Sequence, residues 1–176
     1  MEFDVRRLPL VFVPAGLLAG LVLAITVGAP VLLANQPRPP AQQPIAFPHN
    51  IHVQAVGLEC GFCHRTAAVA ATAGYPDVEQ CMFCHEVAGR GNAEADKVRS
   101  AWTTQQAVNW ERVHRLPDHV HFVHTAHIQA GTQCSTCHGN VGAMTQDVQV
   151  RPLNMSDCVM CHRQSNAPTE CATCHY

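Results

Sequence analysis

The sequence predicts one N-terminal transmembrane α-helix followed by a small domain of short helices and loops with little or no sheet. Three observations predict it. The stretch from Leu8 to Ala34 is almost wholly apolar. From Asn35 onward, Leu, Ile, Val and Phe supply only 24 of 142 residues, below the roughly 20% share at which a chain usually builds its own interior. Against that shortage stand ten cysteines and twelve histidines in a chain of 176 residues. Something other than side chains must fill the domain.

Residues 1–7 read as a cytoplasmic N-terminus and residues 8–34 as the transmembrane helix. The thirty residues between Arg7 and Arg38 carry no charge, and a helix needs about 20 apolar residues to cross the hydrocarbon core. Pro9 and Pro30 sit near its ends and Pro14 in its early turns, where a missing amide proton is tolerated and a kink is expected. A cleaved signal peptide fits less well: Leu32 would stand at −3 for cleavage after Ala34, and Pro30 would follow cleavage after Ala29. Arg6 and Arg7 precede the span, so the positive-inside rule puts the N-terminus in the cytoplasm and the rest outside a single-pass inner membrane protein. No cysteine near the N-terminus offers a lipid site, so the helix itself meets the membrane lipid.

Residues 35–46 form a spacer. Prolines at 37, 39, 40 and 44 favour extended polyproline geometry. Residues 47–176 form the extracytoplasmic domain, where brief helical patterning shows only around Asn50 to Val56 and Ala93 to Val108.

All ten cysteines fall into one motif, CxxCH, repeated five times: Cys60, Cys63 and His64; Cys81, Cys84 and His85; Cys134, Cys137 and His138; Cys158, Cys161 and His162; Cys171, Cys174 and His175. Two thiols at this spacing form thioethers with the two vinyl groups of a haem, and the adjacent histidine reaches the iron from one side. Zinc ribbons need two CxxC pairs per metal and give no reason for a histidine after every pair. A disulfide scaffold gives those histidines no role either. The motifs thus imply five c-type haems, and the domain reads as a multihaem cytochrome c domain packed around them, the porphyrins acting as its core. The formal charge of −2, with 14% of residues charged, offers no basic patch for nucleic acid. Haem propionates would make the domain acidic enough to attract a basic partner.

Each iron needs a second axial ligand to be a low-spin carrier, and seven histidines lie outside the motifs. Phe47 to His52 and Phe122 to His127 both read FxHxxH and precede a CxxCH by eight and seven residues. Residues three apart share one helical face, so His49 with His52, and His124 with His127, can each serve two neighbouring haems. For the fifth distal ligand His114 is the first choice, reaching the haem at Cys81 and Cys84 from the long insertion without a motif, with His119 and His121 competing. Methionine also remains open there: Met144 is the candidate thioether, while Met155 reads as core filling. A histidine–methionine haem would stand at a raised potential. Trp102 and Trp110 pack against a haem or a partner subunit, and no residue is assigned a catalytic role.

The FPHNIHV segment followed by CGFCH resembles the start of small multihaem cytochromes of the class III or cytochrome c7 type, in which FxHxxH supplies distal ligands to two haems; the match covers 47–64 and again 122–138. A narrower resemblance is to the membrane-anchored pentahaem cytochrome subunit of alternative complex III, a quinol-oxidising complex. It is carried by the five motifs, the N-terminal helix, the run RVHRLPDHVHFVHTAHIQAGTQCSTCHGNVGAM from Arg112 to Met144, and LNMSDCVMCHR from Leu153. This resemblance implies an electron-transfer subunit that takes electrons from an iron–sulfur protein and passes them to a downstream cytochrome or soluble acceptor, with quinol bound on another membrane subunit. The chain departs from the family at His121, where an aromatic residue is expected, and at Ser156-Asp157, where a glycine–aromatic pair is common.

Two other functions compete. An anchored multihaem quinol dehydrogenase, feeding a periplasmic reductase, would oxidise quinol at a haem beside the bilayer; its first motif usually follows the helix closely, whereas here a spacer intervenes. A substrate reductase needs an iron left open, yet all five motifs end in histidine and distal histidines are in surplus.

Overall fold

The computed structural model describes residues 9–29 and 40–176. The chain separates into two compact units, Met1–Pro39 and Pro40–Tyr176. The expected N-terminus over 1–7 and the first part of the spacer, 35–39, lie outside the described residues, as do the ends of the expected span.

In the first unit α1 runs over Pro9–Leu23 and passes directly into a π-helical turn, Ala24–Gly28. The change falls where Ile25, Thr26 and Val27 follow one another, a β-branched run that crowds the preceding turn. Thr26 turns its hydroxyl back onto the Val22 carbonyl at 2.8 Å, so it presents no unsatisfied donor to its surroundings. Leu17, Leu18, Leu21, Leu23 and Ile25 are all exposed. Within the expected span over 8–34, the described residues form a 15-residue α-helix followed by a five-residue π-turn. Among the described residues no helix is long and apolar enough to cross a membrane.

The second unit has no strand among the described residues. Its helices are α2 (Cys60–Cys63), α3 (Val78–His85), α4 (Ala93–Thr103), α5 (His124–Gln129), α6 (Cys134–His138), α7 (Met155–Gln164) and α8 (Cys171–Cys174), with a π-turn at Ile51–Ala55 and a 3-10 turn at Val141–Ala143. The longer ones start on proper caps. Asp77 accepts from the Gln80 amide, Asn92 from the amides of Glu94 and Ala95, and Asn154 joins Asp157 in a reciprocal capping box. α2, α6 and α8 are single turns with no side-chain cap. A lone turn fixes several backbone angles for one or two hydrogen bonds, so these three need help from what they carry.

The best-packed pair is α3 against α4. Ala95 and Val98 of α4 are buried, as is Gln80 of α3. Arg99 reaches across and donates to the carbonyls of His85, Ala88 and Gly89 at 2.8, 3.2 and 3.1 Å, satisfying the open C-terminal end of α3. Residues 41–46 are tied to the same region: the Gln43 amide pairs with Glu111 in both directions, the Ala46 amide donates to Glu94, and Ile45 is buried. Beyond Ile45, Ala95 and Val98 no other described hydrophobic residue is buried, and no large side chain is fully enclosed. The expected shortage of core is real.

Candidate metal centres

None of the ten cysteines is paired in a disulfide. The five motifs divide into two kinds. Three lie on lone turns, with the first cysteine exposed and the second half-buried: 60/63, 134/137 and 171/174. Two lie on capped helices, with that order reversed: 81/84 and 158/161. Burial pushes the thiols of Cys60, Cys81, Cys137 and Cys158 up, and in each case a cysteine of another motif adds to it: Cys134 beside Cys60, Cys63 beside Cys81, Cys161 near Cys137 and Cys174 near Cys158. A Gln80 amide bond to the Phe62 carbonyl and the Arg65 guanidinium 5.8 Å from the Phe83 ring further join the first two motifs.

Seven of the twelve histidines are oriented as metal-ligating imidazoles commonly are. Nδ1 donates to a backbone carbonyl in His52 (Pro48), His64 (Gly74), His85 (Ala88), His124 (Ala71), His127 (Val123), His162 (Pro168) and His175 (His119), at 2.5 to 3.3 Å. Such a bond fixes ring and tautomer and leaves Nε2 bare. Gly74 has to be glycine for this: it sits at φ +68°, and a Cβ there would lie 2.8 Å from Thr66 Oγ1.

Rings then face one another in pairs. His52 stands across from His85 at 6.1 Å between ring centres, His127 from His162 at 5.9 Å, His124 from His138 at 6.3 Å and His119 from His175 at 5.5 Å. With metal–imidazole bonds of about 2 Å, two imidazoles on one iron have ring centres roughly 6 Å apart. Among the described residues no three His, Cys, Asp or Glu side chains converge on a point; a haem iron asks the protein for only two ligands. The residues present fit haem.

The two FxHxxH segments repeat in three dimensions. Phe47 stacks on His52 at 4.2 Å and meets His49 edge-on at 4.9 Å; Phe122 lies over His127 at 4.4 Å, tilted by 30°, and meets His124 edge-on at 4.8 Å. The angle between His52 and His85 is 51°, that between His127 and His162 is 50°. Each unit therefore runs FxHxxH, lone-turn motif, helical motif.

Where the first and third motifs meet, His138 is pushed down to about 4 by burial, with His114 and His124 adding to it. Burial also lowers His49, helped by His64 and His52 and opposed by Asp147. His114 directs Nε2 at the Asp147 carboxylate, 3.1 Å away, and its ring meets His138 edge-on at 4.4 Å. Burial raises Asp147, but the bond from His114 and the nearby histidines outweigh it and hold the carboxyl low. Three buried polar atoms here, His49 Nδ1, Asn50 Oδ1 and His114 Nδ1, have no partner among the described residues. Asp147 was not legible in the sequence, because nothing in its 33-residue separation from His114 marks it. His121 stacks on Tyr176 at 4.4 Å. Met144 is half-buried, with its carbonyl taken by the Asn50 amide. Met155, expected to fill core, is 66% exposed because it opens the first turn of α7.

Residues 29–115 match the family model described as class III cytochrome C family, and residues 120–176 match that of cytochrome c7 and related cytochrome c. The multiheme cytochrome c subunit of menaquinone reductase from Nitratidesulfovibrio vulgaris (strain Hildenborough) is 36% identical over 123 residues, which are 68% of this chain and 56% of that protein. The chain thus spans little more than half the length of that relative. With paired imidazoles, CxxCH cysteines that form no disulfide and family matches along nearly all of the domain, this chain is a class III and cytochrome c7-like multihaem cytochrome that transfers electrons through covalently bound c-type haems.

Proposed function

We propose that the chain holds five c-type haems in a row and serves as the electron-transfer subunit of a quinone-linked membrane complex of the alternative complex III kind, exchanging electrons between an iron–sulfur partner and another cytochrome or soluble acceptor. The observation that carries this reading is the repeated unit, in which the second FxHxxH segment presents His124 and His127 to two different motifs and the first presents His52 to His85 in the matching way. On this reading His49 pairs with His64, His52 with His85, His124 with His138 and His127 with His162. Haem in these positions supplies a reversible one-electron couple whose potential depends on axial ligand, burial and hydrogen bonding. The chain's own part is to keep each imidazole neutral, aim its Nε2, and bring the attachment sites close. The thiol neighbours support a linear order of motifs: second, first, third, fourth, fifth.

The uncharged, exposed face of α1 supports an anchor in the cytoplasmic membrane, with Arg6 and Arg7 inside and the haem domain outside. The relative's name gives a quinone-reducing complex, the resemblance a quinol-oxidising one; a relay without acid–base chemistry serves either direction. The relative equally favours a second reading, an anchored quinol dehydrogenase in which this chain meets the quinol itself.

Purification of the native complex through a tag on this chain, followed by menaquinol addition, separates the two. An iron–sulfur protein and a multi-span subunit should accompany the chain, and the haems should be reduced only in that assembly. Reduction of the isolated chain in liposomes by menaquinol would favour the dehydrogenase instead.

A further inference from the structure

We infer that His119, and not His114, is the second axial ligand of the fifth haem, opposite His175. This rests on the five-haem reading. α8 is a lone turn near the end of the chain, and residues 119–121 lie along it at two points. The His175 ring donates from Nδ1 to the His119 carbonyl at 2.9 Å, and the His121 amide donates to the Cys174 carbonyl at 2.8 Å. The His119 and His175 rings are 5.5 Å apart and only 21° from parallel. That spacing is close to those of His52 with His85 and His127 with His162. Among the described residues no side chain or carbonyl hydrogen-bonds to the His119 ring, so both its nitrogens are available.

The competitors fail on geometry. His114 directs its Nε2 at Asp147, and its ring touches His138, which already faces His124. At 4.4 Å between ring centres and 80° between planes there is no room for a metal between His114 and His138. His121 is packed just as tightly onto Tyr176. Met144 is tied to Asn50, beside the first FxHxxH turn rather than the fifth motif. His114 is thus a positioning residue: its bond to Asp147 holds it edge-on against the His138 ring.

The test is made on the detergent-solubilised holoprotein, in three variants read by low-temperature EPR and near-infrared MCD, with the number of haems per chain counted by intact mass. His119→Ala should turn one haem of five high-spin. His119→Met, which keeps a ligand and guards against simple misfolding, should keep five low-spin haems and convert one to a histidine–methionine signature. His114→Met should leave all five bis-histidine. A high-spin or histidine–methionine haem appearing in the His114 variant and not in the His119 variants would overturn the assignment. Fewer than five haems in the unaltered chain would instead overturn the five-haem reading itself, a result visible before any variant is made.

Discussion

Phe47 and Phe122 each touch two histidines. Lying over one histidine and meeting the other edge-on, each ring sets the angle of both imidazoles at once, and aromatic pairs of this kind contribute about 0.5–1.5 kcal/mol beyond area burial. Phe47→Ala should therefore broaden the EPR signals of two haems while leaving those of the second unit sharp, and Phe122→Ala should do the converse; a change confined to one haem would show that the ring orients only one partner. Gly89 is a second point of this kind. It holds φ +70°, and a Cβ there would lie 3.1 Å from Ala95 Cβ and 3.3 Å from His85 Nδ1. Its carbonyl also accepts from Arg99. Gly89→Ala should cost about 1–3 kcal/mol through backbone strain and crowding, read as a lowered Tm together with a shifted spectrum of the haem proposed at His85.

The three capped helices and the three lone turns depend on different things. α4 stands on its own chemistry: Asn92 closes its N-terminus, and Asn92→Ala should cost about 1 kcal/mol, measured by chemical denaturation. The segment before Phe47 leans on the same helix through Glu94, whose carboxyl is held below its usual range by hydrogen bonds from Lys97 and from the Ala46 amide. A carboxyl whose pKa is lower folded than unfolded adds stability above its unfolded value of 4.5 and loses it as pH falls through the folded one. Hydrogen exchange at Ala46 should thus quicken as pH drops below that range, once the intrinsic pH dependence of exchange is removed, and Glu94→Gln should abolish the transition. The segment 41–46 reads in the sequence as a proline-rich spacer, because the bonds that fasten it come from Glu94, Lys97 and Glu111, some fifty to seventy residues away. Spacing did reveal the five motifs and both FxHxxH turns, since each lies within a few residues of chain. It did not separate His114 from His119, because that choice turns on Asp147 and on the fold of the C-terminus.

At the level of the entire haem-bearing unit, the missing interior is legible from composition alone, and the burial pattern agrees with it. Ile45, Ala95 and Val98 are the buried hydrophobic residues among those described, and two of the three belong to α4. At about 25 cal/mol per Å² of apolar surface removed from water, so few buried side chains fall far short of the conformational entropy of ordering residues 40–176, which runs to about 1–2 kcal/mol per residue for the backbone alone. The balance must come from what the cysteines and histidines hold. α2, α6 and α8 have neither caps nor length to persist without it. The chain produced without haem attachment should accordingly show far-UV circular dichroism of a largely unfolded polypeptide. Within residues 40–176, residual helix should be confined to α3, α4 and α7, where Asp77, Asn92 and Asn154 supply caps. It should melt without a cooperative transition, whereas the haem-loaded form melts as a unit. Cooperative thermal unfolding of the haem-free chain would show that the protein carries a core of its own, and would remove the physical reason for packing five motifs into so short a domain.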